Sequence, residues 1–365
     1  MKFKKQKHLL TQREEANAFR FLRQSKDLID FCSNDYLGLS KNGEEFKGIQ
    51  VKGSGGSRLL AGNYPKIQDF EVFLSEYHKA DEALIFNSGY NANVGFFSSV
   101  PQKGDTILYD EYIHASVKDG MRLSFAKTYS FKHNDIKDLE KKLKHTEGDV
   151  YVAVESVYSM DGDSAPLNDL VEFCEMKNLI LIVDEAHGVG VFGDGGEGLV
   201  QHLQVEQKVP IRIITFGKAI GAHGAAVLSN STIKNFLINF CRSFIYTTAL
   251  PPHAIKSLES SYEKIKTGSL SRVLMKKIEL FKTQFSFSES QKLIPSNSSI
   301  QCVLFSGNSS VKSVCSDLNN LGFDVRPVLS PTVKKGEERI RICIHTFNSN
   351  QEIINLANAI KKHLS

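Results

Sequence analysis

The chain has 365 residues, of which 41% are hydrophobic, and this size allows one large α/β domain with a smaller companion. Lys and Arg total 45 against 41 Asp and Glu, and the basic residues are scattered, so charge gives no indication of nucleic-acid binding. No run of about 18 apolar residues occurs, which argues against a membrane-spanning helix, and the apolar stretch near the start is too short for a secretion signal.

The six cysteines are far apart and lie mostly inside apolar runs. None of them forms the close pair that a zinc site needs, so no metal site is predicted. We interpret them as reduced, buried side chains of a cytoplasmic protein.

The first forty residues are predicted to form an N-terminal arm. The segment "QREEANAFRFLRQ" (12–24) has the composition of a polar helix, and "LIDFCS" that of a short strand. A glycine-rich loop, "GSGGSRLLAGN" (53–63), then leads into a segment where Ile67, Phe70 and Leu74 recur at helical spacing. That segment is predicted to be an amphipathic helix.

Short strand-like runs alternate with helix-like segments in the middle of the chain. Runs such as "LILIV" are apolar at successive positions, as in strands that helices cover on both faces. The alternation predicts an α/β fold with a mainly parallel seven-stranded sheet. The seven runs are "EALIFN", "DTILYD", "KTYSF", "VYVAVES", "LILIVDE", "IRIITF" and "GAAVLS".

The pattern changes after "TTALPP". A long charged helical stretch over 254–284 precedes two strand-like runs, "SIQCVLFSG" and "RIRICIH", and a closing helix begins near residue 350. We therefore predict an arm at 1–40, a large domain at 41–253 and a smaller α/β C-terminal domain at 254–365.

Reactive side chains follow several of the predicted strands, and ligands of open parallel sheets bind at the carboxyl ends of strands. "LILIV" precedes Asp184 and His187, "VYVAV" precedes Glu155, and "IRII" precedes Thr215 and Lys218. A glycine turn, "NSGY", follows "EALIF". A carboxylate, a lysine, hydroxyls and a glycine turn are therefore expected at one edge of the sheet.

This set of groups suits pyridoxal 5′-phosphate. A lysine amine can condense with its aldehyde, a carboxylate can keep its pyridine nitrogen protonated, and a helix N-terminus with hydroxyls can hold its phosphate. The small residues after Lys218, such as Ala219 and Gly221, leave room for a bulky group beside the amine.

Two nucleotide-binding interpretations are weaker. "VDEAH" resembles the magnesium-binding motif of helicase-type ATPases, but the Gly-Lys pair at Gly217 is followed by alanine, and Arg212 stands where a phosphate loop needs glycine. "GSGGSR" lacks the lysine of a phosphate cradle and, taken alone, fits a flexible loop.

Each of these residues, taken alone, could have a structural or solvent-exposed role instead of a functional one. Lys218 could be a surface lysine. His114 in "DEYIHAS" could be a structural histidine or a ring that stacks on the pyridine, and the neighbouring Ser116 gives the stacking alternative no independent support. Arg339 and Arg341 alternate with isoleucines on one strand face, where they could receive a carboxylate or form a solvated pair.

The chain resembles the α-oxoamine synthase family of pyridoxal-phosphate enzymes, within fold type I, from about residue 11 to the C-terminus. The resemblance depends on eight motifs in the order of the family: "FCSNDYLGLS", "GSGGSRLLAGN", "HASVKDG", "YSMDGDSAPL", "VDEAHGVGVFG", "TFGKAIGAHGAAVL", "IYTTALPP" and "GEERIRI". Between the first two, the segment "KNGEEFKGIQVK" is shorter than in other members.

The resemblance implies roles for individual residues. Lys218 would attach the cofactor, Asp184 would pair with the pyridinium nitrogen, and His114 would stack on the ring. His187 and Ser159 would contact the ring oxygen, while Gly89, Tyr90 and Thr215 would bind the cofactor. The implied substrate-binding residues are Arg20, Thr332 and Arg341, of which Arg341 would bind the carboxylate. Members of the family are homodimers, and Thr247 and Thr248 match residues that one subunit contributes to the active site of its partner.

The implied reaction is a decarboxylating condensation of an amino acid with an acyl thioester, catalysed in the cytoplasm. L-Alanine with a pimeloyl thioester is the first choice of substrates, bound to coenzyme A or to an acyl carrier protein. Glycine with acetyl-CoA is the alternative within the family. The alternative from another functional class is a non-catalytic regulatory subunit with the same fold.

Overall fold

The computed structural model describes residues 2–20, 22, 27–41 and 51–364. Contacts between residues divide the chain into two compact units. The larger unit comprises Asn34–Ser159 and Ser164–Val273, and the smaller one Met1–Ser33, Met160–Asp163 and Leu274–Ser365. The domain boundaries expected from the sequence stay a prediction.

The described residues form thirteen short strands. They are β1 Ile29–Asp30, β2 Glu82–Phe86, β3 Thr106–Asp110, β4 Lys127–Phe131, β5 Val150–Glu155, β6 Ile180–Asp184, β7 Ile211–Thr215, β8 Ala225–Ser229, β9 Leu293–Ile294, β10 Ile300–Leu304, β11 Phe323–Asp324, β12 Arg326–Val328 and β13 Arg339–Cys343.

The helices of the described residues connect these strands. They are α1 Lys4–Glu15, α2 Pro65–Tyr77, α3 Gly89–Ser99, α4 Ala115–Leu123, α5 Ile136–Lys142, α6 Leu167–Lys177, α7 Leu199–His202, α8 Ser231–Phe240, α9 Arg242–Ile245, α10 Pro252–Ile265, α11 Ser269–Lys282, α12 Phe287–Ser290, α13 Asn308–Asn320 and α14 Asn350–Lys361.

The larger unit is built on a seven-stranded sheet of order β2-β8-β7-β6-β5-β3-β4. Each of the seven strand-like runs in the sequence supplies one of its strands. Only β8 is antiparallel to its neighbours β2 and β7. The prediction of an α/β fold with a mainly parallel seven-stranded sheet is therefore confirmed.

Apolar side chains of α3 and α4 cover one face of this sheet. Phe96 and Phe97 on α3 and Val117 on α4 are buried together with Ile107 and Ile182 on the strands. The strands β5 to β7 are buried at successive positions, so neither face of the sheet is left in water there. This explains why their sequences are apolar at successive positions.

The smaller unit contains an antiparallel sheet of order β12-β13-β10-β9, against which α13 packs. The loop 160–163 belongs to this unit because it is bonded to the sheet: Ser296 and Ser298 donate hydrogen bonds to the carbonyl of Gly162. A Cβ atom at Gly162, where φ is +80°, would lie 2.2 Å from the Ile300 carbonyl oxygen, so glycine is required there.

The N-terminal helix differs from the prediction. It spans Lys4–Glu15 rather than 12–24, and Asn17 follows it in the left-handed conformation. None of its described residues is buried, so no apolar stripe fixed its position in the sequence. Residues 42–50, most of the shortened segment, lie outside the described residues.

The six cysteines are all free, and five of them are buried, as expected. Among the residues that the structure describes, none of the helices combines the length and the apolar character that crossing a membrane requires.

Phe96 tests the packing of the larger unit. Phe96→Ala removes a fully buried ring between α3 and the sheet, so we expect the free energy of unfolding to fall by about 3–5 kcal/mol. Phe125→Ala, at a side chain that is 82% exposed, is the control and is expected to change it by less than about 0.5 kcal/mol. Urea unfolding followed by circular dichroism measures both; equal losses would contradict the assigned core.

Candidate active site

Two carboxylates lie side by side at the carboxyl edge of the large sheet. Glu155 ends β5 and Asp184 ends β6, and the two residues are register partners in adjacent parallel strands. Thr215 ends the next strand, β7. The edge predicted from the sequence therefore carries this cluster of polar groups.

Asp184 is buried, and each of its carboxylate oxygens accepts a hydrogen bond. Oδ1 accepts from the backbone N–H of Ala186 at 2.9 Å, and Oδ2 accepts from Asn93 Nδ2 at 2.8 Å. An ionised carboxylate held by such donors is oriented as well as stabilised. Its position suits the partner of a protonated ring nitrogen.

Sequence reasoning missed Asn93. It lies on the sheet-facing side of α3, among the buried residues Ala92, Phe96 and Phe97. A polar residue on the apolar face of a predicted helix was the available signal, because buried amides need hydrogen-bond partners. In the structure its amide nitrogen donates to Ser116 Oγ as well as to Asp184.

His114 stands at the N-terminus of α4 and caps it. Its Nδ1 accepts a hydrogen bond from the backbone N–H of Ser116 at 3.2 Å, and Ser116 Oγ lies 2.7 Å from the same nitrogen. Burial lowers the pKa of His114, and the charge of Asp184 opposes that effect. Ser116 is thus a direct hydrogen-bond partner of His114.

Glu155 is a second functional candidate that sequence reasoning left without a role. It is fully buried, and its Oε1 has no hydrogen-bond partner among the described residues. Burial raises the pKa of Glu155 well above its usual range, Asp184 acts in the same direction, and Lys218 opposes both. The backbone N–H groups of His114 and Ser159 donate to this carboxyl. We therefore describe Glu155 as a buried acid whose ionisation is disfavoured and whose carboxyl contacts two loops of the site.

Lys218 lies in the connection between β7 and β8, where it is half-buried. This connection is a closed loop: the N–H of Phe216 donates to the Gly224 carbonyl, and the N–H of Ala222 donates to the Phe216 carbonyl. At Gly221, φ is +65°, and an added Cβ would lie 2.4 Å from the Ser40 nitrogen. The charge of Lys218 acts on both His114 and Glu155.

The N-terminus of α3 meets the end of β7. Ser88 caps this helix by accepting a hydrogen bond from the Asn91 N–H at 3.2 Å. A Cβ atom at Gly89 would lie 3.3 Å from Thr215 Oγ1, so the first turn and the threonine hydroxyl are neighbours. Uncapped N–H groups beside a hydroxyl are suited to a phosphate. Tyr90, by contrast, is exposed and donates a hydrogen bond to Asp119.

Among the other predicted residues of the larger unit, His187 and Thr247 form contacts within that unit. His187 is buried, and its Nδ1 lies 2.7 Å from the hydroxyl oxygen of Tyr36 in the "FCSNDYLGLS" motif. Thr247 Oγ1 accepts a hydrogen bond from Asn87 Nδ2 at 2.7 Å, and Thr248 is exposed.

The predicted substrate residues belong to the smaller unit. Arg20 Nη2 donates to Thr332 Oγ1 at 3.4 Å, and both line a cavity of about 220 Å³. Arg341 lies on β13, half-buried, and its Nη1 donates to Cys343 Sγ at 3.1 Å.

Arg339 has a structural role instead. Its side chain is 3% exposed, and its guanidinium forms an ion pair with Asp161 and donates to the Glu337 carbonyl. The interpretation of Arg339 as half of a solvated pair is therefore wrong. Its ion pair with the loop 160–163 gives the buried guanidinium the charged partner that it needs.

The groups of the larger unit fit pyridoxal 5′-phosphate. The helix N-terminus with Thr215 suits the phosphate, Asp184 with two fixed donors suits a protonated ring nitrogen, and Lys218 offers an amine. A sequence model of the family described as aminotransferase class I and II matches residues 26–360.

The chain belongs to the aminotransferase class I and II family. It is 40% identical, over 91% of this chain and 88% of the relative, to an 8-amino-7-oxononanoate synthase of Emericella nidulans. The structure of a Sphingomonas wittichii serine palmitoyltransferase is similar with a TM-score of 0.89 and 25% identity, covering 100% of this chain and 98% of that one. An 8-amino-7-oxononanoate synthase of Francisella tularensis is similar with a TM-score of 0.76 and 28% identity, covering 92% and 98%.

These similarities confirm the resemblance to the α-oxoamine synthases and the fold type I architecture of this family member. They cover almost the whole chain, so both units belong to the shared fold. The roles of the individual site residues stay predictions.

Glu155 offers a test of the electrostatics of the site. Glu155→Gln keeps the shape of a carboxyl whose neutral form is favoured by burial, so we expect the free energy of unfolding to change by less than about 1 kcal/mol and turnover by less than about threefold. Glu155→Ala leaves a cavity and two N–H groups without an acceptor, at a cost of about 2–4 kcal/mol.

Thermal unfolding and thioester-release assays of the two variants separate these effects. A Glu155→Gln variant as impaired as Glu155→Ala would mean that the site needs a negative charge at this position.

Proposed function

We propose that this family member condenses L-alanine with a pimeloyl thioester, with loss of carbon dioxide, to give 8-amino-7-oxononanoate, the step of biotin biosynthesis named by its relatives. It is an acyltransferase, and pyridoxal 5′-phosphate is its cofactor. The observation that carries the proposal is the cluster of Asp184, Lys218 and the α3 N-terminus at one sheet edge, in a chain 40% identical to an enzyme of that name.

Bound pyridoxal phosphate supplies an electron-accepting ring that stabilises negative charge at the alanine Cα. Lys218 is the attachment residue, and its released amine is the base that takes the α-proton. Asp184 keeps a proton on the ring nitrogen, because its two oxygens are held in place by Ala186 and Asn93.

The neighbouring residues bind and orient. The first turn of α3, with Gly89 and Tyr90, and the Thr215 hydroxyl bind the phosphate end of the cofactor. The ring of His114 would pack on the pyridine, and His187 and Ser159 would contact the ring oxygen. The substrate-binding residues of the proposal are Arg20, Thr332 and Arg341, of which Arg341 receives the amino-acid carboxylate.

The same proposal includes a cytoplasmic homodimer in which Thr247 and Thr248 complete the partner's site, with the arm, large domain and small domain divided as the sequence predicts. The family resemblance supports it. The acyl donor is a thioester of coenzyme A or of an acyl carrier protein, and both forms enter the assay below.

A matrix of substrates tests the reaction. Release of free thiol is measured for alanine and glycine, each with pimeloyl-CoA, acetyl-CoA and a pimeloyl carrier protein. We expect alanine with a pimeloyl thioester to have a kcat/KM at least about tenfold above every pair that contains glycine or acetyl-CoA, since one methyl group in a fitted pocket discriminates by about 10- to 200-fold. Preference for glycine and acetyl-CoA would overturn the substrate assignment, and a protein without cofactor absorbance and turnover would point to the non-catalytic subunit.

Lys218→Ala tests the site. We expect turnover to fall by at least about 10³-fold, because the variant lacks both the attachment point and the base, while the fold is retained. Borohydride reduction followed by peptide mass spectrometry should label Lys218 in the unmodified protein. Lys208→Ala removes an exposed amine paired with Glu175 and should leave turnover unchanged. Near-normal turnover in Lys218→Ala would contradict the assignment.

A further inference from the structure

Two hydrogen-bond donors of Ser116 converge on one nitrogen of His114. The backbone N–H of Ser116 donates to Nδ1 at 3.2 Å, and the Ser116 hydroxyl oxygen lies 2.7 Å from it. A backbone N–H can only donate. Nδ1 must therefore carry a lone pair, and the proton of a neutral ring must be on Nε2.

Asn93 determines the direction of the hydroxyl. Its Nδ2 donates to Asp184 Oδ2 at 2.8 Å and to Ser116 Oγ at 3.0 Å. Since an ionised carboxylate only accepts, the amide nitrogen has to face Asp184, and the Ser116 oxygen then accepts from Asn93. Ser116 is completely buried, so the partner available for its own proton is His114 Nδ1. The four side chains form one ordered chain of hydrogen bonds.

The surrounding charges act in opposite directions on His114. Asp184 and Asp119 favour its protonated form, whereas Lys218 and Lys118 disfavour it. Glu155 accepts the backbone N–H of His114, and burial favours the neutral form of Glu155. Burial and the position at the N-terminus of α4 both act against a positive charge on the ring.

We propose that Ser116 is a positioning residue that holds His114 as the neutral imidazole with its proton on Nε2. Protonation of Nδ1 would break the bond from the Ser116 N–H, deprive the Ser116 hydroxyl proton of its acceptor, uncap α4 and place a cation at a helix N-terminus. The functional consequence rests on the proposed function: a neutral ring packs on the pyridine without opposing its protonation, and Nε2–H is the polar hydrogen that the ring presents.

Nitrogen NMR of the full-length, cofactor-loaded protein tests this proposal. The sample is labelled with ¹⁵N-histidine, and His114 is assigned by the signal lost in His114→Gln. We expect an unprotonated Nδ1 and a protonated Nε2 at pH 7. In Ser116→Ala, which removes one of the two donors to Nδ1, the titration midpoint of His114 should move upward by about half to one pH unit.

Two further variants separate positioning from packing. Ser116→Thr retains a hydroxyl and should keep the His114 midpoint nearer to that of the unmodified protein than Ser116→Ala does. Ser75→Ala removes a buried hydroxyl that donates only to the Val72 carbonyl, and should leave the midpoint unchanged.

A protonated Nδ1 in the unmodified protein at pH 7 would overturn the proposal, whether or not Ser116→Ala folds. An unchanged midpoint in a folded Ser116→Ala would overturn it as well. The NMR result does not depend on which substrates react. A neutral His114 in a protein that does not condense alanine would refute the proposed function and leave this inference standing. A His114 protonated on Nδ1 in a protein that does condense alanine would refute this inference and leave the proposed function standing.

Discussion

The buried carboxylate of Asp184 is the constraint on which the rest of the site depends. A negative charge at the end of an interior strand is expensive unless donors compensate it. Ala186 and Asn93 provide those donors, one to each oxygen. Helix α3 therefore cannot slide along the sheet without breaking the bond from Asn93, and the same helix brings Gly89 against Thr215. Charge compensation and phosphate-site geometry are thus coupled through one helix.

The neutral forms of two titratable groups near Asp184, Glu155 and His114, are favoured. Burial favours the protonated form of Glu155, and the bonds from Ser116 favour the neutral form of His114. Lys218 is then the principal positive group acting on this cluster. In a low-dielectric interior the charge of Asp184 is tolerated because each of its oxygens accepts a hydrogen bond.

Much of the fold followed from hydrophobic pattern. The strand-like runs located all seven strands of the large sheet. The signal is strongest for β5 to β7, because parallel strands covered on both faces are apolar at successive positions, and weakest for the edge strand β4, which is mostly exposed. The N-terminal helix was misplaced since it buries none of its described side chains and therefore leaves no periodic stripe. Arg339 was ambiguous for a different reason: alternation gives the face of a strand, but whether that face is exposed depends on the loop 160–163, far away in sequence.

The sequence by itself determined the family, the mainly parallel sheet and the candidate residues after its strands, because motifs and apolar runs are local properties of the chain. Only the tertiary structure decided which polar groups bond to which. Asn93, Ser116 and Glu155 acquire their roles from partners on other helices and strands, or from a depth of burial that no local pattern encodes. The protonation states of His114 and Glu155 depend on those contacts, since pKa values are set by desolvation and neighbouring charges in space rather than by neighbours in sequence.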